Sequence, residues 1–272
     1  MRREKDMKKT NVIQTDKLSK SFSDVEALKS LNLRVPPHSI FGFLGPNGAG
    51  KSTTIKLLLG LSTPTTGSGQ IFGLDIIEDS LAIRNRVGYL AQHPQFYDHM
   101  TARETLRFVA RFFYTEKDTI QRRVSESLAL VDLSQKADRP IKGFSGGEMQ
   151  RLGIAQAQIN EPELLILDEP ASALDPMGRE QVLAIMECLR EKATIFYSTH
   201  ILDDVQRVSD QVAILNQGQL IAQGPIEHLL ASEDGTIYTI KTKNTSPSLK
   251  KRLNAQPWIT HVSHTTTSNT LQ

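Results

Sequence analysis

The stretch Gly45-Pro46-Asn47-Gly48-Ala49-Gly50-Lys51-Ser52 constrains this chain more than any other part of it. It matches the pattern G-x-x-x-x-G-K-[ST], and each fixed position has a physical reason. Gly45, Gly48 and Gly50 let the backbone turn without Cβ clashes, so that successive N–H groups point inward at an anion. The helix that follows offers its unpaired N–H groups and positive dipole end to the same anion. Lys51 adds a full charge at the β/γ-phosphates, Ser52 a hydroxyl for Mg²⁺, and Thr53 a second phosphate donor. Residues 39–44 read as a strand running into this turn and 51–59 as the helix leaving it. By itself the loop specifies nucleotide phosphate binding and no more. Kinases, GTPases and many ATPases have it in common, and a Gly-rich connection with an incidental lysine is the bland alternative.

Strand-like and helical runs alternate along the chain, which argues for an α/β fold with a mostly parallel central sheet. Further strands are expected at 87–91, 164–168, 194–198 and 211–215, with a hairpin turn at Gln217-Gly218 leading to 219–222. Three helical patterns, 101–113, 119–131 and 148–159, follow one another without strands between them. They predict a helical lobe over about 93–162. Residues 1–10 are basic and read as a flexible arm, although a weak contact with anionic lipid is an alternative. Residues 11–231 form the main domain, and 232–272 an appendage, partly disordered or truncated, with a strand-like run at 236–243. No apolar run approaches the ~18–20 residues that cross a bilayer.

Two acids end the most apolar run, Leu164-Leu165-Ile166-Leu167-Asp168-Glu169. Charges at the tip of a buried strand are costly unless paired. Asp168 is therefore expected to hold Mg²⁺ opposite Ser52, and Glu169 to polarise a water that attacks the γ-phosphate. A capping acid pair ahead of Pro170 is the alternative. His200 follows the strand 194–198 at the edge where parallel sheets place ligands. It suits a hydrogen bond to the γ-phosphate, or a structural role. Gln92, just after the strand 87–91, suits contact with Mg²⁺ or water, or is a surface glutamine.

The chain has 272 residues and a net charge of +2, too small to argue for wholesale nucleic-acid binding. Its single cysteine, Cys188, excludes an internal disulfide and fits a reducing compartment. Cys188 falls in a helical pattern at 180–191 and is expected to be a packing residue.

Phe144-Ser145-Gly146-Gly147-Glu148 precedes the third lobe helix. With the phosphate loop, Gln92, Asp168-Glu169, Ala173-Leu174-Asp175 and His200 in that order, the chain resembles the nucleotide-binding subunits of ABC transporters, over roughly 12–230. The usual signature there is L-S-G-G-Q, so Phe144 and Glu148 depart from it while Ser145, Gly146 and Gly147 are intact. The resemblance implies a P-loop NTPase fold with an antiparallel β subdomain and the inserted helical subdomain. It implies that Phe22 stacks on adenine, although core packing suits Phe22 alone equally well. It also implies that Ser145, Gly146, Gly147 and Glu148 act on ATP bound to a partner copy, with Asp175 in the D-loop.

Two subunits, a second copy or a homologous ATPase, would close head-to-tail around two ATP–Mg²⁺, with hydrolysis favouring opening. A separate transmembrane permease would dock near Gln92 and the lobe, which places the chain peripherally at the cytoplasmic face of the membrane. Glu148, closer to a phosphate than glutamine is expected to be, would weaken closure at most. The stretches 171–176 and 198–202 lean toward exporters of drugs, lipids or polysaccharides. A soluble ATPase of the same superfamily acting on nucleic acid or ribosomes is the competing reading. No coiled-coil or zinc insertion and no second cassette supports it, and no nucleic-acid partner is expected. A module that binds ATP without hydrolysing it is disfavoured by the intact Lys51, Asp168, Glu169 and His200.

Overall fold

A computed structural model of the chain describes residues 11–23, 25–172 and 174–230. The arm at 1–10, the appendage at 232–272 and Ala173 lie outside these residues.

In chain order the strands are β1 (Ile13–Phe22), β2 (Val25–Leu31), β3 (Arg34–Val35), β4 (Ile40–Leu44), β5 (Thr66–Ile71), β6 (Leu74–Asp75), β7 (Val87–Leu90), β8 (Leu164–Asp168), β9 (Thr194–Thr199), β10 (Gln211–Asn216) and β11 (Gln219–Pro225). The helices are α1 (Lys51–Leu58), α2 (Ser80–Arg86), α3 (Ala102–Ala110), α4 (Lys117–Leu130), α5 (Gly146–Ala157), α6 (Pro176–Leu189), α7 (Leu202–Val208) and α8 (Ile226–Leu230). Two sheets result. One has the order β11-β10-β4-β9-β8-β7, parallel except for the hairpin strand β11. The other, β2-β1-β5-β6 with β3 beside β1, is antiparallel.

The apolar run of β8 is explained by burial on both faces. Leu164 and Ile166 join Phe41, Phe43, Phe196 and Ile55 in a core that includes the antiparallel strands. Leu165 and Leu167 join Leu106, Val124, Leu152, Met186 and Val205 under the helices. Phe41 and Phe196 stack across neighbouring strands at 5.8 Å.

The three consecutive helices are present as α3, α4 and α5, with two short 3-10 turns, Ser134–Lys136 and Ile141–Gly143, between α4 and α5. Their starts follow local chemistry. Thr101 caps α3 and Ser145 caps α5, each exchanging hydrogen bonds with a glutamate three residues on. Asp175 caps α6, with Pro176 at its first position. Helix α3 stops at Ala110, short of the expected Phe113, because its buried stripe ends there and Phe112 stands in solvent. Helix α6 buries Val182, Leu183, Ile185, Met186 and Leu189. Cys188 lies off that stripe and is exposed, which corrects its expected packing role.

Strand β1 does not alternate cleanly in sequence. Its pairing to β5 shifts register between Asp16 and Ser19, around Lys17 at a φ of 48°. An irregularity of this kind moves side chains to the other face partway along the strand. At Gln217-Gly218 both residues have positive φ, as a two-residue turn between β10 and β11 requires.

Candidate active site

The site follows from sheet order. Strands β4, β9, β8 and β7 are parallel neighbours, so the loops that leave their carboxyl ends emerge along one edge. Register aligns them closely. Leu44 pairs with Thr199, Asp168 with Ser198 and Leu90 with Leu167. The phosphate loop, Gln92, the Asp168-Glu169 pair and His200 therefore leave the same edge although they are spread over the sequence.

The loop itself is tightly seated. Gly45 N–H bonds the Thr199 carbonyl at 3.1 Å, which ties the loop to the end of β9. Gly50 has a φ of 105°, and a Cβ there would stand 2.6 Å from the Ala27 carbonyl oxygen of β2. Only glycine satisfies both conditions. Pro46, Asn47 and Gly48 are exposed, Ala49 is buried, and Ser52 and Thr53 at the start of α1 are half-buried.

Lys51 is buried, with its Nζ 2.6 Å from the Gly45 carbonyl oxygen and 3.2 Å from that of Pro46. The same ammonium lies 3.0 Å from Glu169 Oε1. That contact is an ion pair without hydrogen-bond alignment, since Oε1 accepts no aligned hydrogen bond. The other oxygen of Glu169, Oε2, lies 2.8 Å from His200 Nδ1. An ionised carboxylate only accepts, so Nδ1 is the donor in this contact and Nε2 is left for a further partner. His200 is 43 % exposed and Glu169 4 %, so the buried acid is held between a buried cation and a solvent-facing ring. Glu169 also has a φ of 51°, a backbone conformation that costs a non-glycine residue about 1–2 kcal/mol. Strain of this sort persists where surrounding groups impose it.

The imposing group is Ser198, which sequence reasoning did not single out. Its hydroxyl accepts the Glu169 N–H at 2.9 Å and donates to Asp168 Oδ1 at 2.6 Å. One side chain thus sets the direction of both acids, and Asp168 and Glu169 diverge as adjacent positions must. The available signal was a serine inside the otherwise apolar run Ile195-Phe196-Tyr197-Ser198. Tyr89, on β7 beside β8, has its phenol pKa raised by burial and by the charge of Asp168. Asp168 is 4 % exposed, and a carboxylate so buried favours a cation nearby. Asp168, Ser52 and Gln92 supply carboxylate, hydroxyl and amide oxygens, the donor chemistry that suits Mg²⁺. Gln92 is exposed two residues beyond β7.

The remaining expected residues stand apart from this cluster. Phe22, at the end of β1, is 51 % exposed, and the Lys20 ammonium lies 4.9 Å from its ring centroid. Its exposure is a correction to core packing as the alternative. Ser145, Gly146, Gly147 and Glu148 open α5, and a Cβ on Gly147 would lie 3.9 Å from Leu174, next to the Asp175 cap. Asp175 Oδ1 accepts the Gly178 N–H at 3.1 Å. Among the described residues no hydrogen bond or ion pair joins this second group to Lys51, Glu169 or His200. Glu148 does not project a free charge. Its carboxylate takes the Ser145 N–H at 2.7 Å and pairs with Lys136.

Comparison with known proteins gives a consistent result. Residues 28–172 match the family described as ABC transporter. The chain is 38 % identical over 251 residues to the uncharacterised ABC transporter ATP-binding protein YxlF of Bacillus subtilis (strain 168), covering 92 % of this chain and 82 % of that protein. It is 39 % identical to the bacitracin transport ATP-binding protein BcrA of Bacillus licheniformis, covering 81 % and 72 %. To the Nod factor export ATP-binding protein I of Cupriavidus metallidurans it is 35 % identical, covering 83 % and 75 %. Among solved structures, cbiO1 from Clostridium perfringens, part of the ABC transporter complex cbiONQ, superposes with a TM-score of 0.76 at 25 % identity over 91 % of this chain and 96 % of that one. A dimeric, post-hydrolysis form of the ATP-binding cassette MJ0796 bound to ADP and Pi superposes with a TM-score of 0.71 at 25 % identity, over 79 % and 98 %.

Proposed function

The chain belongs to the ABC transporter family as an ATP-binding subunit with ATPase activity, and from that premise we propose how its residues perform the reaction and what they drive. ATP seats its phosphates on the N–H groups of residues 45–53, with Lys51 on the β/γ-phosphates and Phe22 against the adenine. Pro46, Asn47 and Ala49 contribute main chain, and Ser52 and Thr53 side-chain donors. Asp168, Ser52 and Gln92 would hold Mg²⁺, which would supply neutralisation of charge on the phosphate oxygens.

Glu169 orients and deprotonates the attacking water. His200 holds that carboxylate through Nδ1 and offers Nε2 to the water as an acceptor or, with the ring doubly protonated, to the γ-phosphate as a donor. The single observation that carries this reading is the two-sided hold on Glu169, by Lys51 at 3.0 Å and His200 at 2.8 Å. A base so held, already aimed into the phosphate cradle, loses little freedom on reaching the transition state.

The separation of the Ser145–Glu148 group from this cluster supports a composite site. Ser145 and the N–H groups of Gly146 and Gly147 sit at the start of a 12-residue helix, an arrangement that favours an anion. They act on ATP held by a partner, either a second copy or a homologous subunit, and Asp175 lies at the same junction. Two subunits then close head-to-tail around two ATP–Mg²⁺ and open after hydrolysis. A separate transmembrane permease is the machine they drive, a reading supported by the relatives named as ATP-binding proteins of transporters. The chain works at the cytoplasmic face, and the names of BcrA and of the Nod factor export protein support export as the direction. Purification of the tagged chain from detergent-solubilised membranes tests the assignment. A co-purifying multi-span membrane protein supports it; co-purifying nucleic acid and no membrane protein overturns it.

A further inference from the structure

The departure of Glu148 from the family's signature has a structural counterpart that no motif announces. Lys136 ends the 3-10 turn that follows α4. Its ammonium donates to Glu148 Oε1, while Glu148 Oε2 accepts the Ser145 N–H at 2.7 Å. Both oxygens of the carboxylate are therefore engaged. The Glu148 side chain is 8 % exposed and that of Lys136 is 48 %. Burial pushes the Glu148 pKa up, but the bonds from Lys136 and Ser145 outweigh it and hold the carboxyl below its ordinary range. The group is ionised at neutral pH.

An ionised carboxylate in the first turn of α5 has two opposed effects. It favours the helix by complementing the dipole and closing the capping box. It also places a negative charge in the same turn as the N–H groups that would receive a triphosphate, where like charges repel. A glutamine would supply the hydrogen bond without the repulsion.

We infer that Lys136 is a positioning residue for this half-site: it cancels the charge of Glu148 and pins its carboxylate onto Ser145, so that an acidic signature accepts the partner's triphosphate as a neutral one would. This rests on the reading of Ser145, Gly146 and Gly147 as a half-site for the partner's ATP. Lys136 and Glu148 thus form a unit, and the requirement for the lysine exists only while residue 148 is acidic.

That conditional requirement is the test. The full chain is prepared in a Glu169→Gln background to slow turnover, and ATP-driven dimerisation with Mg²⁺ is measured by sedimentation velocity. Lys136→Ala and Lys136→Met should each weaken dimerisation about fivefold, the upper range for removing one partner of a partly exposed pair. Adding Glu148→Gln should restore it to within about twofold of the parent. ATP affinity of the monomer, which depends on Lys51 and its loop, should not change in any of them. Parent-like dimerisation by both lysine variants overturns the inference. So does failure of Glu148→Gln to rescue them, because loss of folding or of packing is not repaired by removing a second charge. Ser145→Ala separates the two levels of the argument. If it dimerises like the parent, or if the parent forms no ATP-dependent dimer, the half-site reading fails; if Ser145→Ala is defective and the lysine variants are not, only the role of Lys136 fails.

Discussion

Glu169 Oε2 and His200 Nδ1 stand 2.8 Å apart although 31 residues separate them in the chain. The contact exists because β8 and β9 are parallel neighbours that end in register, Asp168 opposite Ser198, so that each chain leaves the sheet beside the other. Ser198, opposite Asp168 on β9, holds the Glu169 backbone at this edge by accepting its N–H.

Glu169→Gln keeps the size and removes the base. ATP affinity should stay within about threefold of wild type, while turnover falls by about 10²–10⁴, the range of a positioned general base. Equilibrium binding of ATP and steady-state phosphate release give the two numbers. Wild-type turnover by this variant would remove Glu169 from the mechanism.

Lys51→Ala should abolish measurable ATP binding. It removes the one ammonium buried in the phosphate loop and leaves Glu169 Oε1, already without an aligned hydrogen bond, facing no cation. A buried carboxylate that loses its cation costs about 3–5 kcal/mol, reduced here because His200 still holds the other oxygen. The melting temperature should fall as well as the affinity. Tight ATP binding by this variant would contradict the role given to the loop.

Gly88→Ala tests how β7 meets the helical layer. A Cβ at Gly88 would lie 2.0 Å from the carbonyl oxygen of Ala157, the last residue of α5, and 2.8 Å from Leu165. Backbone cannot withdraw as a side-chain tip can, so a loss of about 2–3 kcal/mol is expected. Urea unfolding would read this as a lower midpoint at an unchanged slope. A variant as stable as wild type would mean that β7 and α5 are not packed as described.

The Glu148 carboxyl gives a pH dependence with a definite sign. Its folded pKa is held below the ordinary value of 4.5. The unfolded chain therefore takes up the proton first on acidification, and the stability that the ionised group contributes is complete above about pH 4.5 and lost as pH falls through the folded value. At pH 7 the wild type should exceed Glu148→Gln by about 0.5–1 kcal/mol, given that Lys136 is half-exposed. Thermal melts between pH 7 and pH 3 should show the gap closing at the acid end. A gap that widens on acidification would reverse the assignment.

Much of the site was legible from local chemistry. A phosphate cradle needs glycines, a lysine and a helix start in one short stretch, and residues 45–53 contain all of them in order. Two acids after a wholly apolar strand announce a charge at a buried edge, and Asp168 and Glu169 are both 4 % exposed. The parallel sheet and the consecutive helices followed from hydrophobic periodicity in the same way. These features are readable because the forces behind them act within a few residues: dipole, cap, alternation and turn geometry.

The rest needed the folded chain. That Ser198 aims both acids, that Lys136 neutralises Glu148, and that Cys188 faces solvent are outcomes of which elements lie side by side. A register shift in β1 hides its alternation in the sequence, and the pairing with β5 reveals it. Sequence alone thus determined which chemical groups are present and which local shapes hold them. Tertiary structure decided which charge meets which, because an ion pair or hydrogen bond forms only within about 3–4 Å, and packing of remote strands and helices is what sets distances on that scale.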